Sequence, residues 1–265
     1  MLSVTDLGKA FGGLQAIAGL SFDVPAGCVY SVIGPNGAGK TTLLNLLTGI
    51  YRPDSGRVRL AGRDLTGQPT HRWAAAGLAR TFQNLQVFFN MSALDNVMTG
   101  RHLREPCALL PALLHLPSLV REEARCRERA IELMQRVGPQ AWLDAPADAM
   151  PYGALKRLEI ARALATEPLL LLLDEPAAGL NATEAREIDA LIRELAAAGT
   201  TVVLVEHNMR LVMEVSDHVL VLDRGRRLAE GRPDVVARDP RVVEAYLGAE
   251  GRDGADAAAL EAGHA

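Results

Sequence analysis

Val29 to Ile33 form a short, mainly apolar run that stops at a glycine-rich stretch. That pattern fits a short strand buried on both faces. Residues 41–48 follow as a compact Leu-rich segment closed by Gly49, which reads as a helix ended by its glycine. Arg57, Val58, Arg59 and Leu60 alternate after Gly56, the period of a half-exposed strand. From about residue 84 a helical period takes over. Ala130, Leu133, Met134 and Val137 lie at i, i+3, i+4 and i+7 in a stretch rich in Arg, Glu and Ala, one face of an amphipathic helix. Residues 169–173 are wholly apolar and end at two acids, as a central parallel strand would. Ile188, Leu191, Ile192 and Leu195 then mark one face of a helix that stops at Gly199. Thr201–Val205 reads as another buried strand, and residues 219–223 followed by Arg224 and Gly225 predict a hairpin. The N-terminal part reads as strands and turns, and the whole as an α/β core with a helical lobe inserted at about 84–163. From residue 249 onward Ala, Gly, Asp and Glu follow no apolar pattern, which predicts a disordered tail. His264 in that tail reads as a solvated residue rather than a ligand.

With 265 residues, the chain has room for one large domain or a core with a smaller lobe. Aromatics are only 4% while hydrophobic residues reach 49%, so the core must be aliphatic. A net charge of -4 lowers the expectation of a nucleic-acid partner, and none is expected. Cys28, Cys107 and Cys126 are odd in number and show no CxxC spacing, which argues against a disulfide framework or a zinc site and for reduced cytoplasmic thiols. Residues 1–10 carry Asp6 and Lys9 and have no apolar core of a signal peptide. The most membrane-like stretch, residues 108–120, contains Pro111, His115 and Pro117 and is too short to span a bilayer. Any membrane is therefore expected to be met through a partner.

The glycine-rich stretch reads Gly34, Pro35, Asn36, Gly37, Ala38, Gly39, Lys40, Thr41, which fits the phosphate-loop pattern G-x-x-x-x-G-K-[ST]. Glycines let successive N–H groups point at phosphate oxygens, and the following helix adds the positive end of its dipole. Lys40 is suited to neutralise the β- and γ-phosphates of ATP, and Thr41 to ligate Mg²⁺. Asp174 and Glu175 end the apolar run at 170–173. Asp174 there could hold Mg²⁺ through water, and Glu175 could polarise an attacking water. An apolar run before two acids is a weak signal alone and a strong one beside a phosphate loop.

In this combination the chain resembles the ABC ATPase family over residues 1 to about 248. The resemblance implies a P-loop NTPase (RecA-like) core with an N-terminal antiparallel β region and an inserted helical subdomain. It also implies further site residues. Gln83, in Arg80-Thr81-Phe82-Gln83, resembles the Q-loop glutamine that touches Mg²⁺ and senses the transporter. Asp174, Glu175 and Pro176 resemble the Walker B segment with its catalytic glutamate. Asn181 stands in the D-loop, where Asp is usual, and Thr42 beside Thr41 belongs to the nucleotide site. His207 resembles the switch histidine at the γ-phosphate, and Phe11 stands where an aromatic stacks on adenine. Taken singly, Gln83 is equally compatible with a surface glutamine, and His207 and Phe11 fit core residues better.

One motif departs from the family. The signature segment, usually Leu-Ser-Gly-Gly-Gln, reads Met150, Pro151, Tyr152, Gly153, Ala154, so only Gly153 is kept. Pro151 supplies neither a serine hydroxyl nor an N–H. If two unlike cassettes pair, the site closed by this segment is expected to grip the γ-phosphate less well than the site using Lys40 and Glu175. The run 156–164 after it is strongly family-like.

Tyr152-Gly153, the run from Ala177 to Asn181, the run from Val205 to Met209 and the ending Ala245-Tyr246-Leu247-Gly248 resemble the ATPase subunits of branched-chain amino acid importers. Residues 101–120 resemble an insertion in one of that system's two ATPases. Carriers of urea, short amides or aromatic acids share these features, and the lipopolysaccharide-export ATPase is close but keeps a fuller signature. The resemblance implies two membrane-spanning permeases and a second ATPase, either a different chain or a copy of this one. It also implies an extracytoplasmic solute-binding protein, and a peripheral place at the cytoplasmic face of the inner membrane. Soluble relatives in translation or DNA repair carry tandem cassettes or long coiled coils, which are not seen here. A switch that binds ATP without hydrolysing it is disfavoured by Glu175 and His207. Val87, Phe88, Phe89 and Met91 are expected either to dock a permease helix or to pack inside the helical lobe.

Overall fold

The chain divides into two compact units, one made of Met1–Trp73 with the chain from Thr201 onward, the other of Ala74–Thr200. The computed structural model describes residues 1–103 and 117–246. In chain order the elements are β1 (Leu2–Phe11), β2 (Leu14–Val24), β3 (Val29–Ile33), α1 (Lys40–Leu47), β4 (Ser55–Leu60), β5 (Arg63–Asp64), α2 (Thr70–Ala75), β6 (Leu78–Arg80) and α3 (Ala93–Thr99). They continue with α4 (Pro117–Val137), α5 (Tyr152–Ala165), β7 (Leu170–Asp174), α6 (Ala182–Ala197), β8 (Thr201–Val205), α7 (Met209–Val215), β9 (His218–Asp223), β10 (Arg226–Gly231) and α8 (Pro233–Val236).

The first unit holds two kinds of sheet. β1 pairs antiparallel with β2 on one side and β4 on the other, opposing Leu2 to Val24 and to Leu60. This is the N-terminal antiparallel region, and its alternation survives as buried Val58 and Leu60 between exposed Arg57 and Arg59. β3 lies between β8 and β9 and is parallel to both, with Val29 opposite Val202 and Tyr30 opposite His218. All residues of β3 and β8 are buried, Ser31 and Thr201 included, which is why neither strand shows a polar face. β10 returns antiparallel on β9 and forms the expected hairpin. Below it Ile33, Val212, Val219, Val221, Val236 and Val242 form a buried cluster, and Tyr246 packs against it.

In the second unit β6 and β7 run parallel, Leu78 opposite Leu170 and Arg80 opposite Leu172. Helices α3, α4 and α5 pack on one another. Ala130, Leu133, Met134 and Val137 are all buried, as their spacing required, and so are Ile188, Leu191, Ile192 and Leu195 of α6. The described residues of the stretch 84–163 fall within this unit, which also takes in β6, β7 and α6. Leu169, first of the apolar run, stays outside β7 and is 45% exposed.

Asn181 starts α6. Its side chain accepts from the amides of Thr183 and Glu184 at 2.9 and 3.0 Å, and the Glu184 carboxylate accepts from the Asn181 amide at 3.0 Å. This capping box satisfies donors that the helix itself cannot. Asn181→Ala is expected to lower stability by about 1 kcal/mol, and Asn181→Asp to change it far less. Denaturant titration of the two variants measures the difference, and equal midpoints would deny the cap its role.

Cys28 and Cys126 are buried and form no disulfide among the described residues. Among the described residues no helix is long and apolar enough to cross a membrane. Cys107, most of the 101–120 stretch, Leu247, Gly248 and the tail from residue 249 with His264 lie outside the described residues.

Candidate functional site

The glycine loop joins β3 to α1 in the first unit. Gly39 stands just before the helix at φ 103°, in the left-handed region that side chains disfavour. A Cβ there would lie 2.7 Å from the Ala16 carbonyl oxygen, and one on Gly34 would run into the Leu222 carbonyl. Neighbouring backbone thus presses on the loop closely enough to demand glycine at both positions. The β9–β10 turn braces it: the Gly225 amide donates to the Ala38 carbonyl and the Ala18 amide to the Gly225 carbonyl, both at 2.9 Å. No side chain caps the start of α1, and the positive end of a helix dipole favours an anion. Lys40 Nζ donates to the carbonyls of Gly34 and Pro35 at 2.5 and 3.1 Å, which keeps the ammonium on the loop. Asn36, Gly37 and Thr41 are exposed, Pro35, Gly39 and Thr42 are half-buried, and Gly34 and Ala38 are buried.

Two other candidates share this unit. Phe11 ends β1 and is 42% exposed, so it is not a core aromatic. Its ring meets Tyr51 edge to face at 5.2 Å, and Lys9 Nζ lies 5.4 Å from its centroid. The His207 side chain is 65% exposed, which removes the reading as a buried core histidine. Its amide donates to the carboxylate of buried Glu206 at 3.3 Å.

The acid pair sits at the end of β7 in the second unit. Asp174 is buried and its Oδ2 accepts from Arg80 Nη2 at 2.9 Å. Glu175 follows at φ 48°, a left-handed conformation that costs a non-glycine residue on the order of 1–3 kcal/mol and concentrates at functional sites. Gln83 Nε2 donates to Glu175 Oε2 at 3.2 Å, so the structure joins these two sequence candidates directly. The signature-like segment opens α5: Pro151 is extended and gives no side-chain cap. A Cβ on Gly153 would meet the flexible end of Glu184 at 2.5 Å, and Gly179, at φ 78°, would bring one to 3.0 Å from Tyr152 Cε1. Asn181 places its side-chain oxygen in the α6 cap.

Motif reasoning passed over Arg80, Lys156 and Glu159. Arg80 holds Asp174, Lys156 Nζ donates to the Gln83 carbonyl at 3.1 Å, and the Phe82 amide donates to Glu159 Oε1 at 3.2 Å. Charged residues interleaved with Leu155, Leu158 and Ile160 were the one available signal.

The ABC transporter family profile matches residues 17–178, and the profile of the branched-chain amino acid ATP-binding cassette transporter C-terminal region matches residues 226–252. The chain is 42% identical over 249 residues to the high-affinity branched-chain amino acid transport ATP-binding protein BraF of Pseudomonas aeruginosa, covering 94% of this chain and 98% of the relative. It is 41% identical, with the same coverage, to LivG of Escherichia coli K12, which has the same description. Among solved structures it resembles a nucleotide-free ATP-binding cassette from an ABC transporter (TM-score 0.80, 34% identity, 93% of this chain and 98% of that one). It equally resembles an ABC transporter cassette in its ADP conformation (TM-score 0.80, 32% identity, 94% and 98%). With a profile that spans more than half of its length and full-length relatives above 40% identity, the chain belongs to the ABC transporter family as one of its ATP-binding cassettes.

Proposed function

We propose that this cassette hydrolyses ATP to power an importer of branched-chain amino acids. The observation that carries the solute class is the C-terminal match at residues 226–252, joined to relatives that carry that description over nearly their whole length. Reconstitution with the neighbouring permeases and binding protein tests it. Leucine, isoleucine or valine on the binding protein should stimulate phosphate release. Stimulation by urea or short amides instead would move the assignment to a related system.

Within this reading Phe11 stacks on adenine. The amides of residues 34–39, with Lys40 and Thr42, hold the phosphates, and His207 meets the γ-phosphate. Gly153 meets the ATP of a partner cassette, with Asn181 nearby in the D-loop. Thr41, Asp174 and Gln83 would hold Mg²⁺, which supplies positive charge against the phosphates. The donor set suits that ion: hydroxyl, carboxylate and amide oxygens are hard ligands. Glu175 takes the proton of the attacking water, oriented by its contact with Gln83.

The partners under this proposal are two permeases, a second ATPase subunit (another chain or a copy of this one) and an extracytoplasmic binding protein. The place is the cytoplasmic face of the cell membrane, held peripherally. Phe88 and Phe89 support the permease contact, being 49% and 48% exposed four and five residues beyond Asn84. Replacing both with Asp should release the chain from membranes in a sedimentation assay and leave ATP binding unchanged. Retention on the membrane would place the docking surface elsewhere.

A further inference from the structure

Helix α5 carries Lys156, Glu159 and Arg162 at three-residue spacing among buried Leu155, Leu158, Ile160 and Ala161. Lys156 is 2% and Glu159 3% exposed. Lys and Glu are almost never this buried unless something holds them. What they hold is the segment after β6. The Phe82 amide donates to Glu159 Oε1 at 3.2 Å, and Lys156 Nζ donates to the Gln83 carbonyl at 3.1 Å. The Arg162 guanidinium lies 5.3 Å from the centre of the Phe88 ring. Burial pushes the Glu159 carboxyl up, against the Phe82 amide and the charges of Lys156 and Arg162; burial pushes Arg162 down, against Glu159.

Satisfying an amide and a carbonyl does not require two buried charges. Gln83 is exposed, and water could serve its carbonyl at no desolvation cost. Burying ions costs several kcal/mol each before pairing, and geometric specificity is the return such groups offer. The geometry they specify leads to the reacting centre, because the clamped residue is the one whose Nε2 donates to Glu175.

We propose that Lys156 and Glu159 are positioning residues for hydrolysis, fixing the main chain of Phe82 and Gln83 so that the Gln83 side chain meets Glu175. This rests on the reading of Glu175 as the base. Lys156 Nζ also lies 5.8 Å from the centre of the Tyr152 ring, one turn back at the start of α5. The signature-like segment is thereby tied to Gln83 through a single side chain.

A double-mutant cycle in the assembled transporter tests the clamp. Glu159→Leu and Lys156→Met should each lower kcat about ten-fold, the scale of one hydrogen bond to a charged group, with little change in the KM for ATP. Glu159→Gln keeps an acceptor for the Phe82 amide and should restore most of the turnover. On top of Gln83→Ala, the same two substitutions should cost less than about two-fold, since residues acting through one another are not additive. A full ten-fold loss in that background would overturn the clamp while leaving Gln83 and Glu175 in place. No effect of Gln83→Ala itself would overturn it as well. Normal turnover of Glu175→Gln would instead remove the underlying reading. If Glu159→Leu fails to fold, the Lys156→Met cycle gives the same decision.

Discussion

Glu175→Gln is expected to bind ATP like the parent chain and to hydrolyse it slower by on the order of 10²-fold or more, the scale of losing a positioned base. The substitution keeps size and shape, and the amide oxygen can still accept from Gln83. What it cannot do is take a proton from water. The position itself argues for chemistry over support: Glu175 follows β7 in a left-handed conformation that few side chains adopt without compensation. The measurement is steady-state phosphate release with the permeases assembled, alongside equilibrium nucleotide binding. Turnover near that of the parent chain would take Glu175 out of the catalytic role, whatever the fate of the other assignments.

Lys40→Ala is expected to weaken Mg-ATP binding by roughly 10- to 150-fold, the worth of one hydrogen bond to a charged group, and to abolish transport. Lys40 is the only side-chain cation that the phosphate-loop motif supplies. Its contacts with the carbonyls of Gly34 and Pro35 also tie down the loop, so the control is thermal melting without nucleotide. A variant that melts with the parent but binds ATP poorly isolates the phosphate contact. Unchanged affinity and normal turnover would refute the site assignment.

Strands buried on both faces were the most legible part of the fold. β3 and β8 have no polar face to interrupt their patterns, and their bounds match the apolar runs residue for residue. The inward faces of α4 and α6 were legible for the related reason that 3.6-residue spacing must repeat on a packed helix. Phe11 and His207 remained ambiguous singly, because sequence does not distinguish an exposed ring from a buried one; their exposure of 42% and 65% does. The capping box at Asn181 was written in the chain as Asn followed three residues later by Glu, and it stood hidden behind the D-loop reading. The grip of Lys156 and Glu159 left only their interleaving with Leu155, Leu158 and Ile160 as a trace, which names no partner. Its partners are main-chain atoms more than seventy residues away, and no periodicity encodes an acceptor that every residue possesses.

The pairing of β3 sets a timetable for the nascent chain. Its two neighbours in the sheet, β8 and β9, are encoded long after it. At about 5–20 residues per second, a ribosome completes Ile33 roughly 10–40 s before His218. Until then the strand leading into the glycine loop has no sheet to enter, and the Leu222 and Gly225 backbone that packs on the loop does not yet exist. Nucleotide binding is thus acquired only after nearly all of the described chain has been synthesised. A product truncated before β8 would be inert towards ATP rather than an uncoupled consumer of it, and would present an apolar strand for chaperones and proteases to find.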